Sequence, residues 1–262
     1  MIKLVKKIQE LFKKKSLVVS IPLKGVIGIK KNGITLDSYN DIIEKAFALP
    51  KIKAVILQIN SPGGSPSQSE LIYKKIRRLS VERKIKVITF VEDIAASGGY
   101  YIALAGEQII APHNSIIGSI GVISAGFGLH EAINKLGIQR RIYTSGNSKS
   151  FLDPFQPEKP EDVEILKELQ NDVYENFVSL VKERRAARLE SEDNIFSGRI
   201  WSGKKAKKLG LIDEISDLET YIEEKFGKKT KIIKLEPKKK GLLSKFGFGD
   251  FSLRNMLEEI WW

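Results

Sequence analysis

Between residues 54 and 111 short apolar runs alternate with stretches whose apolar side chains recur every three or four positions. Ala54–Ile59 is a β-branched apolar run of strand length, broken only by Gln58, as in a strand buried on both faces. It ends at Ser61-Pro62-Gly63-Gly64. Ser65 and Pro66 then supply an N-cap and a first-turn proline for a helix over Pro66–Leu79, with Leu71, Ile72, Ile76 and Leu79 on one face. The same alternation predicts a strand Lys86–Val91, a helix Ser97–Ala105, short strands Gln108–Ala111 and Gly121–Ser124, a helix Glu131–Leu136 and a strand Arg140–Thr144. Upstream it predicts strands Val18–Ile21 and Val26–Ile29 and a helix Tyr39–Leu49. Such β-α repetition makes an α/β domain with a largely parallel sheet.

A Ser/Gly/Pro-rich connection, Ser145 to Pro160, leads into one long helix predicted over Glu161–Ala187. Its stripe of Val163, Leu166, Leu169, Val173, Phe177 and Leu180 must bury against something, either its own domain or a neighbouring copy. Beyond it a turn, a short basic helix and a buried strand Leu211–Ile215 precede a last amphipathic helix, Asp217–Phe226. Nothing in this end suggests chemistry.

Composition changes the picture mainly at the termini. The chain has 262 residues, 42% of them apolar, enough for one large domain or two modest ones. Net charge is +12, and the excess sits at the ends: six lysines and one glutamate in residues 1–15, nine lysines and one glutamate in residues 225–245. Ile2, Val5, Ile8, Leu11 and Phe12 give the first segment an amphipathic face, and the tail adds Phe246, Phe248, Phe251, Trp261 and Trp262. Basic plus aromatic-apolar composition suits the anionic cytoplasmic face of a membrane; solvated ends or oligomer contacts are the plainer alternative. Nucleic acid is set aside because no recognised binding motif accompanies the charge. The expected organisation is a basic segment 1–15, a single catalytic domain 16–235 and a basic, aromatic tail 236–262. No apolar run reaches the ~18 to 20 residues of a membrane span, and no secretory signal is seen. The expected location is therefore cytoplasmic, peripheral on the inner face of the plasma membrane. The absence of cysteine excludes disulfides and thiolate metal sites.

Candidate chemistry centres on Ile94-Ala95-Ala96-Ser97-Gly98-Gly99. A serine before a helix is ordinarily an N-cap. That reading leaves Gly98 and Gly99 unexplained, since each glycine costs roughly 1 kcal/mol against alanine inside a helix. Glycines there let a carbonyl approach the backbone, where free N–H groups and the positive helix end favour an oxyanion. The loop at Gly63-Gly64 offers a second donor, the Gly64 amide. It lacks the spacings of nucleotide-binding loops. The only histidines, His113 and His130, sit in no glycine-bounded context, which argues against a Ser-His-Asp triad. Lysine can replace histidine when burial lowers its pKa. Lys149, in Ser145-Gly146-Asn147-Ser148-Lys149-Ser150, lies in the connection where functional loops concentrate.

These three segments, with Gly118-Ser119-Ile120-Gly121-Val122, resemble those of peptidase family S49, the signal peptide peptidase A group of serine proteases with a Ser–Lys dyad. The similarity runs from about Val18 to Ile215. It implies a ClpP/crotonase-like spiral fold, Ser97 as nucleophile and Lys149 as general base. It further implies Gly64 and Gly98 as oxyanion-hole amides, and Ser119 as the hydroxyl that orients the lysine amine. It implies no metal and no cofactor, peptide substrates of apolar or signal-peptide-like sequence or misfolded chains, and assembly into homo-oligomers. Familiar members carry an N-terminal membrane anchor; none is expected here, since no apolar run has the length of one. Two other classes are open on the residues alone: a crotonase-type acyl-CoA enzyme, with Glu92 and Asp93 as the nearest carboxylates although they read as helix-start charges, and a non-catalytic membrane-bound scaffold.

Overall fold

The computed structural model describes residues 16–28, 33–146, 148–185, 188–190 and 194–237. The expected basic segment 1–15 and nearly all of the tail lie outside the described residues. In chain order the elements are β1 (Leu17–Lys24), α1 (Leu36–Ala48), β2 (Ala54–Ser61), α2 (Pro66–Arg83), β3 (Lys86–Ala96), α3 (Gly98–Ala103), β4 (Gln108–Ala111), β5 (Ile116–Gly118), α4 (His130–Lys135), α5 (Pro160–Arg185), β6 (Ile200–Ser202), α6 (Gly203–Lys208), β7 (Glu214–Ile215), α7 (Leu218–Phe226) and β8 (Lys231–Lys234). They fall into two compact units. Among the described residues, one holds 16–120 together with 179–237; the other is Gly121–Val178.

The first unit is built on an eight-stranded sheet of order β6-β5-β3-β2-β1-β8, with β4 bridging β3 and β7. Every pairing is parallel except β5 with β6. Along one edge β3 pairs with β2. Along the other its first half pairs with β4, Ile88 to Phe90 against Gln108 to Ile110, and its end pairs with β5, Ile94 to Ala96 against Ile116 to Gly118. Such a strand must be apolar on both faces, and Val87, Ile88, Phe90, Val91, Ala95 and Ala96 are all buried. On one face Val18, Ala54, Ile56, Ile88, Phe90 and Ile110 pack with Tyr221 and Ile222 of α7. α1 and α2 contribute buried Ile43, Phe47, Ile72 and Ile76.

α1 starts at Thr35, whose hydroxyl accepts the Ser38 N–H while the Ser38 hydroxyl accepts that of Thr35, a reciprocal cap. Ser65 caps α2 as its sequence suggests, accepting the Gln68 N–H. Behind α3, Arg185 of α5 is 2% exposed and makes two bonds to Asp213, at 2.9 and 3.0 Å, while its Nε donates to the Gly210 carbonyl at 2.7 Å.

Several sequence expectations are corrected. β3 runs on through Glu92-Asp93-Ile94-Ala95-Ala96, so Glu92 and Asp93 are strand residues; they are paired there, with Lys24 and with the Asn60 amide respectively. Within the strand expected over Val26–Ile29 only Ile27 forms bridges, to Ile34 and Gly64; residue 29 lies outside the described residues. Leu211 and Ile212 are buried without strand pairing, and β7 is confined to Glu214–Ile215. In the second unit neither Gly121–Ser124 nor Arg140–Thr144 pairs as a strand, and α5 begins at Pro160. Apolar spacing predicts strands there, but Ile123 is 87% and Tyr143 91% exposed, with no sheet partner to cover them.

Candidate active site

β3 delivers Ser97 at the C-terminal edge of the sheet, immediately before α3. Ser97 has φ 50° and ψ −125°, a conformation that costs an L-residue of order 1–3 kcal/mol and persists only where the surroundings impose it. Its N–H is spent on the Gly118 carbonyl at 2.8 Å, and its carbonyl accepts from Tyr101 at 3.0 Å. The side chain makes no capping hydrogen bond. The N-cap explanation of this serine therefore fails on the hydroxyl, which is half-buried and left for other use.

The glycine loop after β2 packs against that turn. Ile27 donates to the Gly63 carbonyl at 2.8 Å and accepts from the Ser65 N–H at 2.8 Å, so in this parallel bridge the N–H of Gly64 points to the opposite side. Gly64 has φ 139°, and a Cβ there would lie 1.9 Å from the Ile27 oxygen. A Cβ on Gly63 would fall 2.8 Å from Ser97 Cβ and 2.9 Å from the Gly98 nitrogen; one on Gly98 would fall 2.4 Å from Ser69 Oγ and 3.4 Å from the Gly64 nitrogen. Only glycine lets these backbones approach so closely. Among the described residues neither the Gly64 nor the Gly98 N–H has a protein acceptor. Gly64 adjoins the N-terminal end of α2 and Gly98 opens α3, so both free donors lie at positive helix ends.

Ser119 joins this group. Ala96 and Gly118 are partners in the β3–β5 register, so Ser97 and Ser119 leave adjacent parallel strands at the same level. Ser119 also has positive φ, 53°, and donates its N–H to the Arg199 carbonyl at 2.7 Å. Trp201 closes the back of this turn: a Cβ on Gly118 would lie 3.0 Å from its Cδ1, and the Arg199 guanidinium sits 4.7 Å over its ring.

Lys149 belongs to the second unit, exposed in a turn where its N–H donates to the Gly146 carbonyl at 3.3 Å. The connection that carries it is tied down by two aspartates that sequence reasoning passed over. Asp162 accepts the Leu152 N–H at 3.1 Å; Asp153 accepts the Phe155 N–H at 3.1 Å and pairs with Arg140 at 3.2 Å. Asp162 had the signal of an ordinary first-turn acid, and only its burial distinguishes it. His113 is exposed, with its carbonyl taken by the Lys204 N–H. The tyrosines that follow Ser97 are poor bases at neutral pH. Burial pushes the Tyr100 phenol well above its ordinary range and that of Tyr101 up to about 12.

The arrangement of a strained serine, two free amides at helix ends and a glycine-lined approach can hold an acyl group and its oxyanion. Comparison with known proteins agrees. The model of peptidase family S49 matches residues 80–230, and that of Clp protease matches residues 18–120. A Brucella abortus protein named Na(+)/H(+) antiporter NhaA is 51% identical over 81% of this chain and 29% of its own length. The chloroplastic serine protease SPPA of Arabidopsis thaliana is 31% identical over 76% of this chain, again 29% of its own length. This chain thus matches less than a third of either relative. A solved membrane-bound stomatin-specific protease superposes with a TM-score of 0.51 at 18% identity, covering 85% of this chain and 98% of that one. The Clp match and this neighbour make the fold ClpP-like α/β. With its model matched over more than half of the sequence, the chain belongs to peptidase family S49.

Proposed function

We propose that this chain is a serine endopeptidase using a Ser–Lys dyad, with Ser97 as nucleophile and Lys149 as general base. The observation that carries the proposal is the strained Ser97 backbone, whose Cβ lies against the glycine loop while the Gly64 and Gly98 amides stay free. Neutral Lys149 takes the Ser97 proton as Oγ attacks the peptide carbonyl. The amides of Gly64 and Gly98 hold the developing oxyanion, and Ser119 orients the lysine amine. The lysine then protonates the leaving amine, and water resolves the acyl-enzyme.

Apolar, signal-peptide-like or misfolded chains are the proposed substrates. Homo-oligomers are the proposed assembly, and a monomer mass that does not change with concentration would count against them. Residues 1–15 and 236–262 are proposed to touch an anionic membrane from the cytoplasmic side, with 16–235 as the catalytic part. Among the described residues no helix is long and apolar enough to cross a membrane.

The experiment is hydrolysis of apolar fluorogenic peptides by wild type and Ser97→Ala at pH 7 and pH 9. A higher rate at pH 9 than at pH 7 is the result expected of an amine acting as general base. Cleavage that persists in the mutant, or a rate flat with pH, would contradict the reading.

A further inference from the structure

The helix that carries the Gly98 amide cannot hold itself. α3 has six residues, two glycines in its first turn and no side-chain cap at its start, and helices that short are unstable unless packed. Its far end is gripped instead. Arg184, in the last turn of α5, donates from Nε to the Leu104 carbonyl at 3.0 Å and from Nη2 to the Gly106 carbonyl at 3.2 Å. Arg77 of α2 donates to the Ala105 carbonyl between them at 3.3 Å. Leu104 is the C-cap of α3, and Ala105 and Gly106 form the turn that follows it; cations there complement the negative end of the dipole. Two side bonds complete the hold: Thr89 Oγ1 to the Ala103 carbonyl and the Tyr100 hydroxyl to the Leu211 carbonyl, both at 2.8 Å.

Resting on the serine-peptidase reading above, we propose that Arg184 is a positioning residue for the oxyanion site, its fork fixing α3 along its axis so that the Gly98 N–H meets the transition state. Gly98 leaves little room for error, because Ser69 Oγ already occupies the space a Cβ would need. A helix free to slide would lose alignment of the donor before it lost the fold.

The test uses the full chain with Arg184→Met and Arg184→Lys. Arg184→Met lowers kcat about 10- to 100-fold with KM within about threefold, and weakens a peptide aldehyde, whose adduct carries the oxyanion, in parallel with kcat. Arg184→Lys keeps the charge and reaches one carbonyl, and recovers part of the loss. Independently of activity, the Tyr101 amide, bonded to Ser97, exchanges its proton at least about tenfold faster in both variants while Val87 in β3 is unchanged. A folded Arg184→Met with wild-type kcat and wild-type Tyr101 exchange would overturn the inference. If Arg184→Met does not fold, Arg184→Lys decides by the same two readouts. If wild type shows no Ser97-dependent hydrolysis, the peptidase reading falls, and the exchange measurement still decides whether Arg184 holds α3.

Discussion

The stretch from Ser61 to Ser119 and the stretch from Gly121 to Val178 are held in opposite ways. In the first, strands are covered on both faces, and the candidate groups are main-chain features: two serines at positive φ and glycine amides packed where no Cβ fits. In the second, α4 buries no residue and Ile123, Phe127, Leu136 and Tyr143 are exposed. Lys149 rides on a turn in a connection anchored by Asp153 and Asp162. The contrast teaches that the acyl-binding half of the proposed site is preorganised by the sheet itself. The proposed base is presented by a segment whose apolar side chains are available for other contacts.

Ser97→Ala presses that contrast hardest. It should lower peptide hydrolysis by at least about 10³-fold with the thermal transition unchanged, since only a hydroxyl without a capping bond is removed. Next, Gly98→Ala should cost about 10²- to 10³-fold in kcat, because the new Cβ meets Ser69 Oγ and displaces the donor; steady-state kinetics on a folded sample checks it. Breaking the support behind α3 is a stability test. Arg185→Leu leaves Asp213 partly unpaired and should cost about 3–5 kcal/mol in urea unfolding. Ser119→Ala should cost roughly tenfold in kcat with little change in KM, the size expected for lost orientation of the base. The smallest effect belongs to the second unit: Tyr143→Ser should alter unfolding free energy of the chain by no more than about 0.5 kcal/mol.

Much of the first unit was legible in the sequence because its signals are local. Ala54–Ile59, Ser65-Pro66 and Asp217 announce their elements, and the glycine pairs flag a backbone needed by something else. β5, β6 and β8 were not legible. They are three or four residues long and owe their pairing to partners far along the chain, such as Ile117 with Trp201 and Val18 with Ile232. The end of β3 was misread because Glu92 and Asp93 look like helix-start charges, while their pairing with Lys24 and Asn60 depends on strands not adjacent in sequence. Strand patterns at Gly121–Ser124 and Arg140–Thr144 misled in the other direction, since apolar spacing records burial without saying against what. Positive φ at Ser119 has no sequence signature, and neither does the grip of Arg184 on α3.

Reaction of the full chain with a serine-directed fluorophosphonate, followed by intact mass and peptide mapping, asks most directly whether Ser97 is an activated nucleophile. A single adduct on Ser97, formed faster at pH 9 than at pH 7 and absent in Lys149→Met, is the expected result. An unreacted chain, or label spread over other serines while Ser97 stays free, would contradict it.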